Sequence, residues 1–313
     1  EEFGLEPGIN LEKKMFTALR QLGFDKIFDV NMGADITTLV ESQELTERLK
    51  KKFSGEKTVL PMFTSCCPGW VKFLEFYYPE MIPHLTTARS PQIHSGAAYK
   101  TWWAEKSGID PSKIVVISIM PCTSKKYEAE MEKLKFEFQG KHLKPVDYVL
   151  TTREMAVLLK KNQIDLPQLA DSQADSAGEY SGAAAIYGAS GGVMESALRS
   201  AARMLTGQEL PKIDLEEVRG MKGIKRATIK IGDQEVKVAV VATARNARNI
   251  LEEIKRGEAN YDYIEFMACP GGCIGGGGQP LTSTMAIVKK RIAGLYDIDQ
   301  KKKLRRAHEN PVV

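Results

Sequence analysis

Every cysteine of this 313-residue chain falls in one of three short blocks. Phe63 to Trp70 carries Cys66 and Cys67, Met120 to Lys126 carries Cys122, and Met267 to Pro280 carries Cys269 and Cys273. Incidental thiols would be scattered. These sit beside Pro and Gly, just past strand-sized apolar runs, and read as one metal site assembled from distant parts of the chain. Five cysteines in this length make no disulfide framework, and the odd count suits four ligands plus one free thiol in a reducing compartment.

The totals exclude several function classes. With 43% hydrophobic and 27% charged residues, the composition is that of an ordinary globular protein able to bury a large core. The longest apolar runs, Ile114 to Met120 and Val236 to Ala242, are strand-sized and far short of a membrane span. A net charge of +4 is too small and dispersed to argue for nucleic acid. The basic run Lys301 to Arg306 reads as a solvated helix face, with docking of an acidic electron carrier as its one functional use. No signal-peptide pattern is present, so a cytoplasmic location is expected. The opening Glu1-Glu2-Phe3 lacks Met and reads as a fragment, whose missing segment could carry an export signal and a periplasmic address.

Strand-like runs alternate with amphipathic helical stretches. Strands are expected at Lys26 to Val30, Thr58 to Phe63, Ile114 to Ile119, Tyr148 to Thr151 and Tyr263 to Met267, with a hairpin of Arg226 to Ile231 and Glu235 to Ala242 around Gly232-Asp233. Helices are expected at Asp35 to Lys52, Val71 to Tyr78, Pro91 to Lys106, Arg153 to Lys161, Ser190 to Leu205, Asn246 to Arg256 and Leu281 to Leu295. The pattern is α/β: two lobes, each a mixed β-sheet flanked by helices, forming one domain over 1–313 with the site in the cleft between them. All three cysteine blocks follow strand C-termini, where open α/β sheets place ligands. The irregular stretch Pro167 to Ala184 is long enough to be functional.

Thiolates suit zinc, copper(I) and iron–sulfur clusters. A four-thiolate zinc site usually offers two close pairs, whereas here only Cys269 and Cys273 are close, as C-x3-C. That spacing favours an object larger than one ion, and a cubane takes four thiolates. Gly271-Gly272 and Gly275 to Gly278 would let the backbone approach a bulky cofactor and turn N–H groups toward it. Met120 and Met267, each two residues before a cysteine, would wall the same group. Lys125, three residues after Cys122, could donate to an anionic ligand, offsetting the cost of burying its charge.

The three blocks resemble the signatures of the [FeFe]-hydrogenase catalytic domain: T-S-C-C-P-x-W, M-P-C-x-x-K-x-x-E with Glu128, and E-x-M-x-C-x-x-G-C-x-x-G-G-G-Q-P with Glu265. All match in order. Similarity extends to Gly33-Ala34-Asp35, Ser90-Pro91-Gln92, Gly191 to Glu195 and His308 to Pro311, nearly the whole chain. The resemblance implies a [4Fe-4S] cluster held by Cys67, Cys122, Cys269 and Cys273. Cys273 would bridge to a di-iron unit bearing CO, CN⁻ and an azadithiolate, the whole forming the H-cluster. It further implies that Lys125 hydrogen-bonds a cyanide, that Met120 and Met267 pack near the irons, and that Pro91, Gln92, Tyr187 and Gly188 line the cofactor.

By the same resemblance, Cys66 passes protons, with Glu41, Glu44, Arg48 and Thr86 continuing the relay. The i, i+3, i+7 spacing of Glu41, Glu44 and Arg48 puts them on one helical face, a pattern that a solvated charged stripe would share. H2 and protons would be the substrates. Electrons would be carried by a ferredoxin or by an iron–sulfur partner subunit, and maturation proteins would supply the di-iron unit. The family's opening strand and any ferredoxin-like domain are absent from the sequence. Tyr187 stands where Phe is usual, Ser190 where Thr is usual, and Thr243 to Asn246 replaces a more usual Gly-Leu-containing segment. The competing readings are a sensory relative, which would tend to lack Cys66, an iron–sulfur assembly factor without the di-iron unit, and a structural zinc protein.

Overall fold

The computed structural model describes residues 1–313. The chain enters through α1 (Glu12–Gln21) and the long α2 (Asn31–Phe53), then β1 (Met62–Phe63), α3 (Pro68–Tyr77) and α4 (Pro91–Ala98), which passes through a π-helical turn at Tyr99–Trp103 into α5 (Ala104–Ser107). There follow β2 (Ile117–Met120), α6 (Ser124–Ala129), the hairpin β3 (Phe136–Phe138) and β4 (Lys141–Leu143), β5 (Tyr148–Thr151) and α7 (Thr152–Lys161). The second half carries α8 (Gly182–Ala185), α9 (Gly192–Thr206), β6 (Ile224–Ile231), β7 (Gln234–Ala242), α10 (Ala244–Lys255), β8 (Tyr263–Met267) and α11 (Met285–Lys301).

The main sheet has the order β1-β8-β7-β6, with β1, β8 and β7 parallel and β6 antiparallel to β7. Side chains alternate across it as strand geometry requires. Val236, Val238 and Val240 of β7 join one core with Leu45 and Leu49 of α2 and Leu198 of α9. Ala239 and Val241 join the opposite core with Trp70 and Leu74 of α3 and Ile250 and Leu251 of α10. Burying both faces suits the parallel strands, whose continuous apolar runs leave no polar side.

A second sheet pairs β2 with β5 in parallel and packs on a core of α1 and α7 built around Phe16, Leu19, Met155 and Leu159. The mixed pairing expected of two sheets is therefore found in the larger one alone. The β3–β4 hairpin stands apart, turning through Gln139 and Gly140, both at positive φ, as a two-residue hairpin loop demands.

Other expectations need correction. Lys26 to Val30 forms no strand: the N–H of Ile27 donates to Asp175 Oδ2 at 2.9 Å and its carbonyl accepts from Asp175 N at 2.8 Å, so an irregular segment takes the place of a neighbouring strand. β1 is shorter than Thr58 to Phe63 because Pro61 has no N–H for a ladder. The last helix starts at Met285, where the Thr284 hydroxyl accepts from Ile287 N at 3.3 Å and caps it. Helix α1 and the β3–β4 pair are not among the expected elements. Thr243 occupies φ 80°, ψ 147° between β7 and α10, a conformation that costs a non-glycine residue about 1–3 kcal/mol.

Candidate active site

The ends of β1 and β8 in the large sheet and of β2 in the small one deliver the three cysteine blocks to one place. The first and third are stitched together by the sheet itself. Thr64 N donates to Ile264 O at 3.1 Å, Phe266 N to Thr64 Oγ1 at 3.0 Å, and the Trp70 indole to Thr64 O at 2.9 Å. Trp70 stacks on Phe266 with ring centroids 3.8 Å apart. Ala268 N points at Cys67 Sγ, 3.5 Å away, a contact that would tune the electron density of this sulfur if it bound a metal.

The glycines of the third block also let two cysteine-bearing loops touch. A Cβ on Gly276 would lie 2.4 Å from Pro121 O, and one on Gly278 would lie 2.9 Å from Pro121 C and 3.0 Å from Cys122 N. Gly272, at φ 99°, has Gly188 O and Ser190 N where its Cβ would be, each at 2.6 Å. Gly188 thus seats the Cys269–Cys273 turn. Arg153, at the start of α7, holds the same loop through Gly277 O at 3.0 Å, a contact the sequence does not advertise.

Cys67, Cys122, Cys269 and Cys273 lie near enough to influence one another electrostatically. Burial is the first cause that pushes the Cys67 and Cys273 thiols up, and it holds Cys269 at about 11. A metal has to displace these protons to bind. Only one trio of candidate ligand atoms gathers within 4.8 Å, the carboxylates of Glu195, Asp214 and Asp299. The thiols are spaced more widely than the ligands of one ion, which fits a cubane and disfavours zinc. The carboxylate trio is matched by Arg199, Arg219 and Arg305 and is charge-balanced as it stands.

Lys125 is buried beside this site. Its ammonium donates to Cys66 O at 2.9 Å and to Glu128 Oε2 at 2.8 Å, leaving the third N–H for a ligand. Burial opposes its charge, but Glu128 more than restores it and its pKa is raised. Glu128 Oε2 also accepts from Ser90 Oγ and Gln92 Nε2, each at 2.8 Å. Gln92 spends the rest of its amide on Lys125 O at 3.1 Å and Ser118 Oγ at 2.8 Å. Gln92, expected as a lining group, therefore orients Lys125 and Glu128. Pro91 starts α4 and packs its carbonyl against Gly33 of α2, which sets the helix that presents Gln92. Met120 is buried at the end of β2. Met267 packs with Tyr187, Ala34 and Val193, and Cys66 lies against them.

From Cys66 a line of polar groups runs along α2. Cys66 and Glu41 are electrostatic neighbours, as are Glu41 and Glu44. Glu41 is fully buried, one oxygen accepts from the Tyr263 hydroxyl at 2.8 Å, and the other has no partner. Burial pushes its carboxyl to about 8. Glu44 reaches the surface. Burial raises its pKa, but Thr86 at 2.7 Å, Thr87 N at 2.8 Å and Arg48 at 2.6 Å outweigh that and lower it. Arg48 is anchored on the carbonyls of Val59, His84 and Leu85. The structure therefore brings Glu41, Glu44, Arg48 and Thr86 together. The Tyr187 hydroxyl is buried without a hydrogen-bond partner, and the Thr38 hydroxyl near it is engaged by Ala34 O and Ser196 Oγ. Tyr263 escapes a sequence reading, since its phenol lies 222 residues from the carboxylate it serves.

Residues 1–277 match the family described as "Iron only hydrogenase large subunit, C-terminal domain", and residues 285–313 the one described as "Iron hydrogenase small subunit". The "NADP-reducing hydrogenase subunit HndD" of Solidesulfovibrio fructosivorans is 46% identical over 100% of this chain and 53% of its own length. "Iron hydrogenase 1" of Clostridium pasteurianum is 46% identical over 99% and 54%. The chain thus spans about half the length of these curated relatives. An apo [FeFe]-hydrogenase HydA1 variant from Chlamydomonas reinhardtii superposes with a TM-score of 0.86 at 40% identity, over 100% of this chain and 84% of that one. No helix is long and apolar enough to cross a membrane.

Proposed function

Because the chain belongs to the family of C-terminal domains of iron-only hydrogenase large subunits, we propose that it is the catalytic module of an [FeFe]-hydrogenase, interconverting two protons and two electrons with H2. The observation that carries the reading is the meeting of four widely spaced thiols from three remote blocks beside a fifth thiol, a buried ammonium and a line of carboxylates leading outward. Cys67, Cys122, Cys269 and Cys273 would hold a [4Fe-4S] cluster, and Cys273 would also be the residue nearest a di-iron unit. When bound, that cofactor would supply a redox-active metal centre able to pass electrons between the external carrier and H2.

The chain's own residues do the rest. The third N–H of Lys125 would be available to an anionic ligand of that group, and Glu128, with Ser90 and Gln92 on the same oxygen, keeps the ammonium in place. Met120, Met267, Tyr187 and Gly188 exclude water around the group. Cys66 exchanges a proton with the buried centre, a task for a group that both accepts and donates. Glu41 takes the proton onward, and Glu44, held by Thr86 and Arg48, exchanges it with solvent. Electrons arrive or leave through a ferredoxin or an iron–sulfur partner subunit, and maturation proteins load the di-iron unit. The test is an infrared spectrum of anaerobically matured protein with its native partner chains. CO and CN⁻ stretching bands are expected. A reduced-cubane EPR signal without those bands would overturn the reading in favour of an assembly-factor role.

A further inference from the structure

We propose that Tyr263 is a positioning residue for proton transfer: its hydroxyl pins one oxygen of Glu41 and so dedicates the other to exchange with the Cys66 side. This deepens the relay reading above and rests on it. Strand β8 is held from both sides, Tyr263 pairing in register with Met62 of β1 and Val238 of β7. Alternation then puts Tyr263, Glu265 and Met267 on one face. Tyr263 reaches Glu41, Glu265 receives Gly191 N at 2.6 Å and Met194 N at 2.8 Å at the start of α9, and Met267 packs with Tyr187 and Val193. One strand leading to Cys269 thereby sets the relay carboxyl, the neighbouring helix and the cofactor wall.

A carboxyl's terminal torsion is broad and roughly two-fold, so an unanchored Glu41 would present either oxygen. The bond at 2.8 Å to Oε1 removes that freedom and leaves Oε2, buried and unpartnered, as the exchanging atom. An unsatisfied buried oxygen is costly in a merely structural carboxylate and is what a transfer group requires. The groups facing Glu41 are Glu265 of β8, Glu44 of α2, Cys66 after β1, Tyr187 before α9 and Tyr263 itself. The carboxylates oppose ionisation of Glu41, whereas the Tyr263 bond favours it.

The experiment follows the protonated-carboxyl infrared band of unloaded protein that disappears in Glu41→Gln, as a function of pH. In Tyr263→Phe, which keeps the ring in the core, the band should move to higher wavenumber and its midpoint to higher pH. Incorporating 3-fluorotyrosine at 263, a stronger donor, should move the midpoint the other way, a response that a packing role lacks. In matured enzyme, turnover of Tyr263→Phe should fall roughly threefold to tenfold, the scale of one hydrogen bond, with KM for H2 unchanged. Coincidence of band and midpoint with wild type in both variants would overturn the positioning role. If Glu41→Gln abolishes turnover in that case, the relay stands without Tyr263. If Glu41→Gln turns over at the wild-type rate, the relay reading fails and this proposal with it.

Discussion

Cys66 and Cys67 are adjacent and chemically identical, yet the fold gives them different surroundings. Cys67 sits under the N–H of Ala268 and among the other three site thiols, while Cys66 lies against Met267 and Tyr187 within reach of Glu41. Cys66→Ala is therefore expected to keep a cubane EPR signal while H2 turnover falls by roughly two to four orders of magnitude, the scale of a lost proton-transfer group. Cys67→Ala is expected to lose the signal itself. Wild-type turnover in Cys66→Ala, or loss of the cubane from it, would sink the division of labour. Glu41 makes a second prediction at this scale. Its folded pKa of about 8 lies above the ordinary 4.5, so between these values the folded state binds more protons than the unfolded one. Stability must then fall as pH rises through that window. Glu41→Gln should remove up to one proton's worth of that slope, about 1.4 kcal/mol per pH unit, measured from urea midpoints. Asp29 and Asp35, raised by burial to about 7 and about 6, retain a slope of the same sign in the variant.

At the scale of elements, the site is a meeting of loops, and glycine makes the meeting possible. The Cys269–Pro280 turn lies on the Pro121-Cys122 turn so closely that Gly276 and Gly278 have no room for a Cβ. Gly278→Ala should push the two loops apart, costing about 1–3 kcal/mol and lowering cluster iron per protein even though no ligand has changed. Full iron occupancy with an unshifted melting temperature would refute that account. The glycine run is conspicuous in the sequence, but its partner is not, because what excludes a Cβ is the backbone of a loop some 150 residues away. Helix α7 shows the reverse case. Its Thr151–Glu154 capping box is local, and the helix appears within a residue of where sequence places it. Lys26 to Val30 fails as a strand for the complementary reason: apolar alternation says that a segment is extended and half-buried, not which backbone it pairs with.

Over the whole molecule, the two ends of the chain are tied together behind the site. Asp35 of α2 receives Ser181 N at 2.7 Å and Asn310 Nδ2 at 2.8 Å, joining two family-like motifs 275 residues apart. Alongside, Arg199 of α9 donates to Glu195 at 2.6 Å and Asp299 of α11 at 2.8 Å, with all three side chains fully buried. Such a network stabilises only while complete. Arg199→Met would strand buried carboxylates, so a loss of roughly 3–5 kcal/mol is expected from urea unfolding. A change below about 1 kcal/mol would mean that Arg219 and Arg305 suffice. The network holds the segment that matches a hydrogenase small subunit against α9, whose first turn donates to Glu265 of β8.

What the amino-acid sequence determined by itself was the chemistry. Five thiols in three blocks, with Pro and Gly at fixed offsets, pointed to one metal site, to the family and to the α/β framework, because donor type and strand-end placement are local properties. Tertiary structure alone decided how those residues are used. It spent the amide of Gln92 on orienting Lys125, set the phenol of Tyr263 on Glu41, and packed one glycine loop on another. Each of these depends on which atoms meet across tens to hundreds of residues, and that is settled by how the two sheets and their helices pack together.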